Sequence, residues 1–233
     1  MPVPLPIIVL IFLTMNAINT GFAAGGIQIG RTRVIYDASK KEVALPVINK
    51  ENELPWLVQS WVDTGDGKTR GPFIVTPPLF RLNAQREQSL RIIWSGAVMQ
   101  EDRESLYYIN VRTIPGSDTK DENKNVLRLI YKTRLKLFFR PKDLEGEPGE
   151  ACAQLQFTLN GDDLQVKNPS RYYIVFDSLY FGNKQIRHAD MIAPLAGTSF
   201  PLPVKTEGHN ITWRCITDYG NASDKYSDPL PKG

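Results

Sequence analysis

Residues 125–139 read Asn-Val-Leu-Arg-Leu-Ile-Tyr-Lys-Thr-Arg-Leu-Lys-Leu-Phe-Phe. Taken at period two, one face is Leu127, Leu129, Tyr131, Thr133, Leu135, Leu137 and Phe139. The other face carries Arg128, Lys132, Arg134 and Lys136. Such alternation marks a strand, because successive side chains of extended backbone point to opposite sides. The run, expected as one strand to Phe139, is far longer than the usual strand of about five or six residues. A domain of ordinary size cannot bury so long an apolar row, so its N-terminal part is expected to project where its own domain does not cover it. A long strand at a sheet edge must be protected or used. Here Lys and Arg discourage self-pairing, while the Leu-x-Leu-x-Tyr row is suited to complete another protein's core by strand addition. The competing reading is an ordinary last strand with one face in the core and the other solvated.

On either side of this run, β-branched and aromatic stretches recur between turn residues such as Asp63-Thr64-Gly65-Asp66-Gly67. Strands are expected at Ile27–Tyr36, Val43–Asn49, Trp56–Val62, Phe73–Thr76, Ser89–Trp94, Leu106–Arg112 and Val126–Phe139. Seven strands at this spacing suit an immunoglobulin-like sandwich. Residues 141–149, with two prolines, two glycines and four charges, read as an interdomain linker. Strand signals resume at Gln154–Leu159, Leu164–Lys167, Tyr172–Phe176 and Ile211–Thr217, a second and smaller β-domain. The expected organisation is all-β, with a pair of sandwich domains, 26–145 and 146–233, around a cleft.

Composition narrows the function. With 42% hydrophobic and 23% charged residues in 233, wholesale disorder is excluded. A net charge of +3 with no isolated basic block gives no argument for nucleic acid. Ile7–Leu13 is continuously apolar, nothing charged precedes Arg31, and the small residues Gly21, Ala23, Ala24 and Gly25 follow. This predicts a secretory signal peptide over residues 1–25. Because Met1-Pro2-Val3-Pro4 lacks Lys and Arg, a retained N-terminal anchor is the alternative. No second long apolar stretch follows, so no stable membrane insertion is expected. In an oxidising compartment, Cys152 and Cys215 are expected to form one structural disulfide. A redox or zinc site would need other spacing, and a catalytic cysteine would need one of the two histidines, His188 or His209.

Asp102-Arg103-Glu104-Ser105-Leu106-Tyr107-Tyr108-Ile109-Asn110-Val111-Arg112-Thr113-Ile114-Pro115 resembles the signature of the periplasmic pilus-assembly chaperones, the class related to PapD. Only Gly116 departs from the pattern. Arg31-Thr32-Arg33, Thr76-Pro77-Pro78, Thr133 to Pro141, Asn168-Pro169, Tyr172-Tyr173 and Asp218-Tyr219-Gly220 match in order across both halves. The resemblance implies a chaperone, not an enzyme, that binds pilus subunits by donor-strand complementation and delivers them to an outer-membrane usher. Arg33 and Lys136 would anchor the subunit's C-terminal carboxylate, and Asn125, Leu127, Leu129 and Tyr131 would form the donor strand. Glu104, Arg140 and Asp218 would form an interdomain salt bridge. Leu57, Gln59, Thr76, Pro77, Pro78 and Ile114 would face the usher. The short polar loop from Gly116 to Lys124 is similar to that of the short-loop branch. No cofactor or metal is implied, and the expected location is the periplasm.

Two rivals compete with this reading. An enzyme would need a nucleophile elbow, a zinc-binding His pair or a phosphate loop, and the sequence contains none of these. A secreted immunoglobulin-like adhesion module would suit the cysteine separation. However, Leu164 stands where such a domain places a tryptophan after its first cysteine.

Overall fold

The structure, a computed structural model, describes residues 25–116, 125, 127–203, 208 and 210–229. Residues 1–24 of the expected signal peptide and 117–124 of the polar loop lie outside them. Among the described residues every regular element is a β-strand, and no helix is long and apolar enough to cross a membrane.

The first sandwich contains β1 (Ile27–Ile29), β2 (Arg33–Asp37), β3 (Val43–Asn49), β4 (Trp56–Asp63), β5 (Phe73–Thr76), β6 (Leu79–Leu82), β7 (Glu87–Trp94), β8 (Ser105–Pro115) and β9 (Tyr131–Arg140). One sheet runs β1-β3-β7-β5 and the other β2-β9-β8-β4-β6. Val34, Leu45, Val58, Leu90, Ile109 and Leu137 meet, fully buried, between the sheets. The expected strand Ile27–Tyr36 is in fact two. Residues 30–32 carry the chain from one sheet to the other, so β1 pairs antiparallel with β3 and β2 pairs parallel with β9. The sequence reading also missed β6, which follows directly on Pro77-Pro78 and is held by its pairing to β4.

The long strand needs a correction. β9 begins only at Tyr131, and Asn125 and Leu127–Ile130 are exposed and outside any strand. The reason is the supply of partners. Pairing with β8 ends at Thr113 opposite Tyr131, and β2 reaches no further than Arg33 opposite Lys136. Beyond Tyr131 no strand among the described residues pairs with the chain, and an extended segment without a ladder partner is not stable on its own.

The second sandwich contains β10 (Gln156–Asn160), β11 (Asp163–Lys167), β12 (Ile174–Phe181), β13 (Lys184–Gln185), β14 (Met191–Ile192), β15 (Gly197–Pro201), β16 (Asn210–Cys215) and β17 (Tyr226–Pro229). One sheet runs β10-β11-β15 and the other β13-β12-β16-β17, with β14 also on β12. Four of these, β13, β14, β15 and β17, had no counterpart in the sequence reading. They are short or rich in Gly, Ser and Pro, and the register of a longer neighbour holds them. Cys152 and Cys215 form a disulfide across 63 residues. By chain entropy such a closure stabilises the fold by about 4 kcal/mol. Trp213 packs on Phe157 beside it and donates to the Cys152 carbonyl at 2.9 Å. The first core ends at Phe139 and the second begins at Ala151.

Candidate functional site

The outer face of β9 meets the second sandwich from Lys136 onward. Arg33 and Lys136 stand opposite each other in the parallel β2–β9 ladder, so both side chains leave the same face. Arg33 is only 9% exposed, and its Nη1 donates to the Ile216 carbonyl at 3.0 Å. Its guanidinium lies 5.9 Å from the centre of the Phe138 ring. Its buried Nε–H meets no acceptor among the described residues. Burial lowers the Arg33 pKa from its ordinary value, and the carboxylates of Asp218, Glu104 and Asp190 act the other way. A guanidinium remains charged throughout. Arg33 is therefore no solvated surface charge. Lys136 Nζ donates to Asp190 Oδ1 of the second sandwich at 2.6 Å. Between the sandwiches, Arg33, Glu104, Phe138, Tyr173, Ile216 and Asp218 help to line a cavity of about 340 Å³.

Deeper along the same face Arg140 bridges two carboxylates. Nε donates to Glu104 Oε1 at 2.8 Å, while Nη1 and Nη2 donate to the two oxygens of Asp218 at 2.7 and 3.0 Å. Glu104 is buried and also accepts the Tyr173 N–H at 2.8 Å. Burial pushes the Glu104 carboxyl above the usual carboxylate range, and Arg140 and the Tyr173 N–H offset this only in part. For Arg140 burial opposes the charge, but the hydrogen bonds to Asp218 and the two carboxylate charges outweigh it and raise its pKa.

The matched motifs turn out to be one another's neighbours. Gly220 has φ +90°, and a Cβ there would lie 2.2 Å from Thr32 Oγ1 in the first sandwich. Glycine is needed both for the backbone conformation and for the close approach. Asn168 is buried and hydrogen-bonds Ser170 and the Tyr172 carbonyl, which shapes the loop delivering Tyr172 and Tyr173 to the cleft. Tyr173 packs with a tilted ring against Phe138, and Tyr172 lies under Arg140.

On the side of β9 away from β8, residues 131–135 have no strand beside them among the described residues. Leu127, Leu129 and Tyr131 are 83%, 52% and 54% exposed at and beyond this open edge. On the far strands Leu57 pairs with Ile114, and Gln59 lies two residues along β4. Ser60 ties the Pro77 and Pro78 carbonyls to β4, through Oγ and N–H respectively. The Thr76–Pro77 peptide is cis. Leu57, Gln59 and Ile114 are thus neighbours on β4 and β8, exposed Leu79 stands opposite Gln59 on β6, and Thr76 ends β5 of the other sheet.

Sequence reasoning missed Asp190, Phe138 and the Ile216 carbonyl. Phe138 sat on the face read as basic, and no local pattern points to Asp190 or to a backbone oxygen. It also missed Trp61, whose ring meets Arg70, Arg112 and Lys132 at 5.4, 5.2 and 5.4 Å.

Residues 26–145 match the family described as pili and flagellar-assembly chaperone, PapD N-terminal domain. Residues 150–227 match the pili assembly chaperone PapD C-terminal domain. The chain is 41% identical over 202 residues to a probable fimbrial chaperone, LpfB, of Escherichia coli O157:H7, covering 86% of this chain and 87% of that one. It resembles the crystal structure of the E. coli chaperone DraB with a TM-score of 0.79 at 35% identity, over 89% of this chain and 100% of that one. A structure of the Salmonella enterica SafA pilin in complex with the SafB chaperone matches with a TM-score of 0.80 at 34% identity, over 88% and 96%.

Proposed function

Because this chain belongs to the PapD family of pilus-assembly chaperones, we propose that it holds a pilus subunit by lending it the open β9 edge and by fixing its terminal carboxylate at Arg33 and Lys136. One coincidence carries this reading. β2 stops at the very position where the two cations stand, and the unpaired edge of β9 begins there.

A subunit chain with its carboxylate at Arg33 and Lys136 and its body along Leu135 to Tyr131 runs parallel to β9, on the line that β2 occupies further on. Each charge-assisted hydrogen bond to that carboxylate contributes about 1.5–3 kcal/mol. Leu127, Leu129 and Tyr131 then enter the subunit's groove, with Asn125 at the margin, and each buried Leu contributes roughly 1.5–3 kcal/mol. The carboxylate sets the register, and a one-residue slip would turn the apolar row away from the groove. The Glu104–Arg140–Asp218 bridge holds the cleft at its working angle. The work is binding rather than catalysis. It takes place in the periplasm, and the surface at Leu57, Gln59, Thr76, Pro77, Pro78 and Ile114 presents the loaded chaperone to an outer-membrane usher.

The test uses a fluorescent peptide of alternating apolar and polar residues, long enough to span positions 127–135, as free acid and as C-terminal amide. The chaperone is expected to bind the acid about tenfold or more tighter. Lys136→Ala should erase that preference without lowering the melting temperature. Equal binding of acid and amide by the unaltered protein would overturn the anchor.

A further inference from the structure

We propose that Asp190 is a built-in stand-in for the subunit's terminal carboxylate, occupying the Lys136 ammonium in the free chaperone and being displaced on capture. The proposal rests on the carboxylate-anchor reading above.

The contact is of the kind the subunit would make, a carboxylate oxygen on the Lys136 ammonium, at 2.6 Å. Its other features suit exchange. The Asp190 side chain is 66% exposed, so water takes it up readily once it leaves, whereas Lys136 is only 21% exposed. The Asp190 backbone is held in place, because its carbonyl accepts the Phe176 N–H at 2.9 Å. The carboxylate can therefore swing on a fixed tether. The other two carboxylates near the anchor, Glu104 and Asp218, are both engaged by Arg140. Arg33 is met by a neutral carbonyl, that of Ile216. Asp190 is thus the one carboxylate at the anchor that is free to exchange among the described residues.

This arrangement confers selectivity. A stray carboxylate must compete with one already tethered beside the ammonium, whose effective concentration is high. A chain end that also adds along the β9 edge brings further binding energy and displaces it. Asp190 also belongs to the second sandwich and Lys136 to the first, so the occupied state closes the cleft mouth as well.

The experiment uses the same acid and amide peptides by fluorescence anisotropy, with thermal melting as the folding control. Asp190→Asn is expected to bind the acid about two- to fivefold tighter, the range set by a partly exposed ion pair, and to leave the amide unchanged. In a Lys136→Ala background the same substitution should lose most of its effect, leaving only the weaker through-space influence of Asp190 on Arg33. If Asp190→Asn binds the acid no tighter while the unaltered protein still prefers acid to amide, the stand-in is overturned and the anchor survives. If the unaltered protein is indifferent to amidation, the anchor fails and takes the stand-in with it.

Discussion

Asp63 and Glu104 are both buried carboxylates, yet their surroundings move them in opposite directions. Burial would raise Asp63, but the Gly65 N–H, Asn110 and Arg134 donate to it at 2.8–2.9 Å and bring it below the usual range. For Glu104 burial wins and the carboxyl is raised. Asp63 therefore contributes stability that is present above the unfolded value of about 3.9 and is lost as pH falls through its lower folded value. Glu104 takes up its proton at a higher pH when folded, so lowering pH through that window favours the folded state. In denaturation series at several pH values, Asp63→Asn should flatten the acid limb. Glu104→Ala strips the bridge from Arg140 and should cost about 3–5 kcal/mol at neutral pH, with Glu104→Gln costing clearly less. Arg33, Lys136, Glu104, Arg140 and Asp218 were all legible from motif positions. Asp190 was not, because a counter-ion from another domain leaves no mark on the sequence around it.

The element that matters most is β9, because it changes character along its length. Leu137 to Phe139 are core, whereas Tyr131 to Arg134 are exposed. Period two correctly divided its faces. It could not say where the strand stops, since that depends on where β2 and β8 run out. Phe138 shows the same limit: alternation put it on the polar face, and the second sandwich then buried that face. Because Leu129 is half exposed in the free protein, Leu129→Glu should change stability by less than about 0.5 kcal/mol. It should nonetheless weaken subunit capture at least about tenfold, the loss of one buried apolar side chain. Thermal melting and co-purification with a co-expressed pilus subunit check both halves; co-purification at the unaltered level would count against strand donation.

Across the whole molecule, the two sandwiches are joined along the outer face of β2 and β9, and the segment before β8 adds contacts from Asp102 and Glu104 to Arg171. Arg33 reaches Ile216, Lys136 reaches Asp190, Phe138 reaches Tyr173, Arg140 reaches Asp218 and Thr32 touches Gly220. Arg140 is the hub, because among the described residues it alone neutralises a buried carboxylate of the first domain and an opposing one of the second. Arg140→Ala should cost about 3–5 kcal/mol by leaving Glu104 unpaired and should change the interdomain envelope in small-angle scattering. An unchanged envelope would mean that the bridge does not set the cleft angle.

Two β-domains, a disulfide between Cys152 and Cys215, and a basic pair preceded by an apolar row could all be read from residue order. Those features follow from local rules: alternation, turn residues, composition and the spacing of a family signature. The end of β9 at Tyr131, the burial of Arg33 and the pairing of Lys136 with Asp190 could not. Each depends on which backbone or side chain another part of the chain brings alongside, and that is set by packing between segments far apart in sequence.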